Sequence, residues 1–549
     1  MLSRIVQAHR FCPAPRQSLL HAGPERRSRI RVYTAPLTLH RLVHHGRRLY
    51  VKPSESKSAT VATSPEHDPF LNQPPAEEPP SPSLPQHVLS YLPFSHIVKT
   101  YLITLALANP FLYRLCFSAL HLLAYPPLPV LDPDRNRALG YILKKTFYSQ
   151  FCAGQSKAEV ERTAARVRSV GYDGLSLEFA LEVLLDDIES SSADKTPAAD
   201  SKETARQIET WRTGALQTVK MVREGEFAAL KWSGLGHHAL HLLKQNQPPT
   251  PAMASALNAV CGLASQRRVS LLPGAEEEIT NPGIDAWTLA LMARYNRPPY
   301  SSPAHPVMYN TYQAYLRSTP AKLAQHLRLA REGGFVIGVK LVRGAYLAKE
   351  PRGAIWATKE QTDAAYDGLA AEMLQRRWGK WLKMSTGGGG AAAAKDGEEG
   401  WPQLALMLAT HNITSVRRAQ ALRNRLLASS RPSPSPSPSE LDPVPLAFAQ
   451  LQGMADEVGC EIIATAAAAR AANAAPSLCF PVDEPPNRPL VDVPRAYKNI
   501  VWGTPGECLQ FLLRRAQENR DAVGRTEGTR RAMGREIVRR AGERVRWRG

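Results

Sequence analysis

The chain has 549 residues, a formal net charge of +20 and a pI near 9.7, long enough for about two to four average domains or one large barrel with extensions. Its 7 cysteines are odd in number, widely spaced and without a CxxC pair, a pattern that implies a reduced compartment and excludes a structural zinc site. The basic balance raises a nucleic-acid or membrane-surface partner, but no aromatic-interleaved basic motif appears, so nucleic-acid binding is not expected.

Residues 1–52 carry Arg4, Arg10, Arg16, Arg26, Arg27, Arg29, Arg31, Arg41, Arg47, Arg48 and Lys52 against the single acid Glu25. Such an Arg- and Ser-bearing, acid-poor segment reads as a mitochondrial transit peptide, whose charge responds to the matrix-negative potential; the plainer reading is a basic tail. Residues 53–86 are rich in Pro, Ser and Glu and bury too little apolar surface to order themselves, so they read as a disordered linker.

A helical region is expected over 87–170. Its stretch 91–131 is strongly apolar, but Lys99, Pro110 and Arg114 divide it, leaving no run of about 18 residues for a membrane-spanning helix. It either packs on the main domain or lies on a membrane as an interfacial helix.

From 171 to 526 short apolar runs alternate with longer helical patterns, the signature of a parallel sheet with crossover helices. Eight strands are expected, at 174–179, 227–232, 269–272, 307–313, 335–342, 404–409, 445–451 and 497–502, which suggests a closed barrel. Segments 190–202, 387–394 and 429–439 are polar or low in complexity and read as surface insertions. A basic tail, 527–549, ends the sequence.

Polar residues cluster just beyond the strand ends, where a barrel places its active site. Lys231 closes the second apolar run. Tyr309-Asn310-Thr311-Tyr312-Gln313 offers amides and hydroxyls to a polar heterocycle. Lys340 and Arg343 sit on an otherwise apolar strand, where buried cations need anionic or acceptor partners, and Gly344-Ala345 permits close ligand approach. Thr410-His411-Asn412 follows the sixth strand. After the eighth, a helix bears Arg514, Arg515 and Glu518; on it Arg514 and Glu518 share a face. That spacing ordinarily makes an exposed ion-pair stripe, whereas near a barrel mouth the adjacent guanidinium forks suit one small carboxylate.

Together these segments resemble the proline dehydrogenase family. The resemblance rests on Lys-Leu-Val-Arg-Gly-Ala-Tyr (340–346), Asn-Thr-Tyr-Gln (310–313), Ala-Thr-His-Asn (409–412) and Arg-Arg-x-x-Glu-Asn (514–519). It spans 151–526, includes Gln-Leu-Gln-Gly-Met (450–454), and is similar to the monofunctional mitochondrial branch.

The resemblance implies an α/β fold, a distorted (β/α)8 TIM-like barrel with an N-terminal helical extension. It also implies FAD as cofactor, L-proline as substrate and Δ1-pyrroline-5-carboxylate as product, with electrons passed to ubiquinone at the matrix side of the inner mitochondrial membrane. By matching positions, Lys231, Arg514 and Arg515 bind the substrate carboxylate, and Leu341, Ala345, Tyr346, Leu451 and Asn499 shape the ring pocket. Gln313, Lys340, Arg343 and His411 contact the flavin, and Glu518 pairs with the arginines to hold their helix over the site. No metal is expected.

Three positions depart from the family pattern. Lys340 stands where relatives have an Arg, replacing a planar fork with a point charge. Gly274 stands where many have an Asp, so no carboxylate there tunes the flavin surroundings and the pH dependence is expected to differ; separately, Glu276 is a candidate for the base that deprotonates the substrate amine. Asn499 stands where many have a Tyr, and a smaller polar residue there would admit a hydroxylated ring, so hydroxyproline oxidation is the alternative. A catalytically inactive barrel with a binding role is the other. A nicotinamide enzyme is disfavoured, because no GxGxxG sits at a strand-to-helix turn.

Overall fold

A computed structural model describes residues 87–181, 201–384, 401–429, 443–474, 491–518 and 523–546. The transit-peptide and linker readings (1–52 and 53–86) lie outside the described residues. So does insertion 387–394, and so do 190–202 and 429–439 apart from a residue or two at their ends.

The barrel alternates strand and helix from β1 (Gly174–Phe179) to β8 (Ala496–Trp502). Ahead of it come α1 (Phe94–Ala108), α2 (Pro110–Ala124) and α3 (Lys157–Val170). The first half runs β1, α4 (Lys202–Met221), β2 (Phe227–Leu230), α5 (His237–Lys244), α6 (Pro251–Gln266), β3 (Ser270–Pro273), α7 (Asn281–Tyr295) and β4 (Tyr309–Gln313). The second half runs α8 (Thr319–Gly333), β5 (Ile337–Val342), α9 (Lys359–Gln375), β6 (Leu404–Ala409), α10 (Ile413–Ser429), β7 (Leu446–Leu451), α11 (Asp456–Ala474) and β8. Then follow α12 (Pro505–Glu518) and α13 (Val523–Arg546).

All strand pairs are parallel, in the order β3-β2-β1-β8-β7-β6-β5-β4. A parallel bridge between Leu271 and Met308 brings the two edges together. The result is a nearly closed (β/α)8 barrel. Each expected strand is present, with ends differing by a residue or two: the second stops at Leu230 because Trp232 enters a 3-10 turn through Ser233–Leu235.

Two apolar layers hold the barrel. Inside, Phe227 meets Tyr497 and Tyr309 edge-on at 4.8 and 5.7 Å, in one cluster with Leu272 and Met407. Outside, helices cover the strands through amphipathic stripes. In α4, Ile208, Trp211, Ala215 and Val219 are buried at helical spacing, and Ser201 caps the first turn through the amide of Thr204. Truncating one of the lumen aromatics to alanine would cost about 3–5 kcal/mol.

The helical extension is anchored by charge as well as by packing. Ile97 on α1 packs with Cys460 and Met533. Asp456, at the start of α11, accepts from Lys498 at 2.7 Å and pairs with His96 of α1 at 2.7 Å. Burial works against the charged Asp456, but Lys498 and His96 prevail and hold its carboxyl well below the usual range.

The segment expected as a basic tail is helical over Val523–Arg546. Glu527 pairs with Arg530 and Arg531, Glu536 pairs with Arg539 and Arg540, and Met533 is fully buried against α1. Ion pairs at i+3 and i+4 and one apolar anchor outweigh the self-repulsion that the composition suggests.

Candidate active site

Alternate side chains of a barrel strand face the lumen. Above the apolar plug, that period places Lys231 after Ala229, Gly274 after Leu272, Thr311 and Gln313 after Tyr309, Leu451 after Ala449, and Asn499 after Tyr497. Register sets Lys340 beside Thr311, and Ser176 beside Asn499. Most strands thus present polar or small groups at one end of the barrel.

Tyr346, in the loop after β5, is the hub of a buried charge cluster. Its hydroxyl donates to Glu276 Oε2 at 2.7 Å and accepts from Lys231 Nζ at 3.1 Å and Arg515 Nη2 at 3.4 Å. Lys231 Nζ also lies 3.1 Å from Glu276 Oε2, while Ser233 Oγ donates to Glu276 Oε1 at 3.1 Å. Lys231 and Glu276 are each 7% exposed. The Arg515 guanidinium carbon sits 5.6 Å from the Tyr346 ring centre and 5.4 Å from that of Phe511. An ammonium, a guanidinium, a phenol and a carboxylate thus converge where water is scarce, and the first two are groups that suit a small carboxylate ligand.

Gly274 makes room for this arrangement. A Cβ there would lie 2.9 Å from both Cδ and Cε of Lys231 and 3.2 Å from its Nζ. Gly344, with φ +142°, is the second close approach, because a Cβ would come within 2.4 Å of the Tyr315 ring.

Lys340 carries a third lumen cation. Among the described residues no protein group hydrogen-bonds its amine. Burial depresses the amine below the usual lysine value; Glu178 pulls the other way, and Lys231 and Arg515 add to the depression. Glu178 in turn accepts from Asn499 Nδ2 at 3.4 Å, whereas Asn499 Oδ1 and Ser176 Oγ are buried with no hydrogen-bond partner among the described residues.

Gln313 ties the loops together, donating to the Glu276 carbonyl at 2.9 Å and accepting from the Ala345 amide at 3.4 Å. His411 Nε2 accepts from the Leu451 amide at 3.1 Å, which joins the ends of β6 and β7. Ala345, Leu451 and Arg514 are half-buried at the same end of the barrel.

Two sequence-identified residues are placed elsewhere. Leu341 has the opposite parity to Lys340, is fully buried and belongs to the layer between barrel and helices, so it does not line the lumen. Arg343 donates to Asp363 at 2.6 Å, Thr410 at 2.6 Å and Ser415 at 2.8 Å, and lies 4.3 Å from the Tyr366 ring centre; its fork is committed to protein partners. The side chain of Glu518 lies outside the described residues. Sequence reasoning missed Glu178 and Ser176, although a carboxylate and a hydroxyl two residues apart on β1 share one face, a readable signal.

A cavity of about 400 Å³ opens elsewhere, beside Phe179, Trp502 and Glu507. The convergent charges, not the open space, mark the chemistry.

Residues 160–528, about two thirds of the chain, match the family model described as proline dehydrogenase. The chain belongs to the proline dehydrogenase family. This is a family of oxidoreductases, and its fold expectation agrees with the barrel above. Among curated relatives, hydroxyproline dehydrogenase of Mus musculus is 26% identical over 438 residues, covering 74% of this chain and 84% of that protein. The enzyme of that name from Homo sapiens is 27% identical over 470 residues, covering 77% and 88%. A probable mitochondrial proline dehydrogenase of Schizosaccharomyces pombe is 28% identical over 285 residues, 51% of this chain and 48% of that protein. Among solved structures, proline utilization A from Bdellovibrio bacteriovorus, inactivated by N-propargylglycine, aligns with a TM-score of 0.49 at 14% identity over 79% of this chain. This chain spans 41% of that longer one.

Proposed function

We propose that this protein carries out the FAD-dependent oxidation of L-proline to Δ1-pyrroline-5-carboxylate in mitochondria, passing electrons to ubiquinone at the matrix side of the inner membrane. The observation that carries the reading is the Lys231–Glu276–Tyr346–Arg515 cluster, in which an ammonium, a carboxylate, a phenol and a guanidinium meet. Mitochondrial location draws support from relatives named as mitochondrial proline dehydrogenases.

The lumen residues fit a flavin. Lys340 brings a donor without a described protein acceptor, and Asn499 and Ser176 bring buried polar atoms without partners. Gln313, Lys340 and His411 are the residues we assign to holding the ring system. Arg343 joins them if its bonds to Thr410 and Ser415 exchange for ligand atoms. Bound FAD would supply the two-electron acceptor that the side chains of this chain lack.

The protein's own work is positioning. Lys231, Arg514 and Arg515 clamp the substrate carboxylate, Glu518 pairing with the arginines before substrate arrives. Tyr346, Ala345 and Leu451 wall the ring, and Asn499 stands at its far side. Leu341 acts from behind, packing the strand that carries Lys340. Glu276, which accepts from Tyr346 and pairs with Lys231, is our candidate to accept the amine proton.

Asn499 favours a second reading. Its buried amide oxygen, with Glu178 beside it, suits a ring hydroxyl, and several relatives are named hydroxyproline dehydrogenase. The test is anaerobic addition of L-proline or trans-4-hydroxy-L-proline to the purified protein, following loss of the visible flavin band. Bleaching by proline supports the first reading and preferential bleaching by hydroxyproline the second. Folded protein that binds no flavin overturns both.

A further inference from the structure

Exposed apolar side chains are unevenly spread over this protein. Among the described residues sixteen large hydrophobics are exposed, and eleven of these fall between Leu102 and Ile142. On α2 the outward strip runs Phe111, Leu115, Ala119, Leu122, a spacing that keeps one helical face. Phe111 is 73% and Leu115 58% exposed. The opposite face of α2 is firmly placed: Phe117, Leu120 and Ala124 pack on Leu509 and Leu513 of α12. Leu102 of α1 and the pair Tyr141 and Ile142, all more than half exposed, extend the apolar surface.

Single exposed apolar residues are ordinary, whereas a concentration of this kind marks an interaction surface. Its charge selects the partner. Across His87 to Lys145, the span that carries this surface, Lys99, Arg114, Arg135, Arg137, Lys144 and Lys145 stand against Asp132 and Asp134, and no acid precedes Asp132. Among the described residues no single helix is long and apolar enough to cross a membrane, and the segments Phe94–Ala106 and Phe111–Ala124 meet at 104°. The 15 residues of α2 reach about 22 Å, short of a hydrocarbon core of about 30 Å.

We infer that the outer face of α2, continued by Leu102, Tyr141 and Ile142, docks in the headgroup–acyl boundary of a bilayer bearing anionic lipid. This names the surface behind the membrane association proposed above and rests on that part of the reading. Because α2 packs on α12, the bilayer contact lies one helix away from Arg514 and Arg515, and it presents the catalytic end of the barrel to a lipid-dissolved electron acceptor.

The test is flotation of the full chain with vesicles of phosphatidylcholine, with and without phosphatidylglycerol. The wild type should float with the anionic vesicles. The double variant Phe111→Glu, Leu115→Glu should bind about 100-fold more weakly, since two side chains no longer leave water. The control Ile279→Glu, Val538→Glu, which removes exposed apolar residues elsewhere, should bind like the wild type. Thermal melts of all three proteins should coincide. No flotation of the wild type, or equal binding by the α2 variant, overturns the inference. So does a wild-type dimer that the α2 variant dissolves without any vesicle binding, which would assign the face to a second copy. Flavin bleaching by proline, read on the same preparations, fails or succeeds independently of the vesicles.

Discussion

Replacing Glu276 by glutamine tests the electrostatic logic of the cluster directly. The amide keeps the shape, but its single oxygen can still accept from only one of Tyr346 and Ser233, and the substitution removes the carboxylate that lies 3.1 Å from Lys231. Breaking a buried ion pair at one partner costs about 3–5 kcal/mol. The Tyr346 oxygen still accepts from Lys231, so the low end, about 3 kcal/mol, is expected, or a Tm loss of roughly 4 °C for a barrel of this size. A ring carboxylate that cannot be oxidised, such as cyclopentanecarboxylate, restores a negative charge beside Lys231 and Arg515. Differential scanning fluorimetry should therefore show a larger ligand-induced Tm rise for Glu276→Gln than for the wild type, closing most of the gap. Equal melting of the two proteins without ligand would show that Lys231 does not depend on Glu276. Equal ligand shifts would show that the carboxylate binds somewhere other than these cations.

Gly274→Ala places a Cβ 2.9 Å from the Lys231 stem, whose flexible end yields cheaply; stability should hold while KM for proline rises about tenfold, and an unchanged KM counts against Lys231 as the carboxylate ligand. Asp456→Asn leaves Lys498, 2% exposed, without its anion, so urea unfolding should show a loss of about 3–5 kcal/mol at neutral pH. The folded carboxyl of Asp456 lies below its unfolded value, so its stabilising contribution is present above the ordinary carboxylate range and is lost as pH falls; the two proteins should converge in acid. His326 is bonded to Tyr312 at 2.8 Å, and burial, opposed by Asp285 and aided by Lys322, pushes it down to about 4. With a lowered folded pKa it stabilises fully above about 6.5 and loses up to about 3 kcal/mol as pH falls towards 4. A His326→Gln variant should show a shallower acid slope in urea melts, and parallel slopes would refute the assignment.

The strand pattern was legible because the barrel buries both faces of each strand, so that runs such as Leu404–Ala409 stand out as unbroken apolar segments. The polar ends were legible because a two-residue period carries Lys231, Gln313 and Asn499 to the same face as the apolar residues below them. Period alone also assigns Lys340 and Leu341 to opposite faces; the motif that contains both obscured this.

What the sequence determined by itself is therefore local: where strands begin, which face a residue takes, and which ends carry charge, all consequences of backbone periodicity and burial. Only the tertiary structure decided which charges meet. Glu276 reaches Tyr346 across 70 positions and Arg515 reaches it across 169, while His96 and Asp456 pair across 360. Such pairings depend on how α12 and α1 settle against the barrel, and that packing is set jointly by side chains distributed over the whole chain. The same packing turned the C-terminal basic segment into a helix and left one face of α2 outward, because its other face was already occupied by α12.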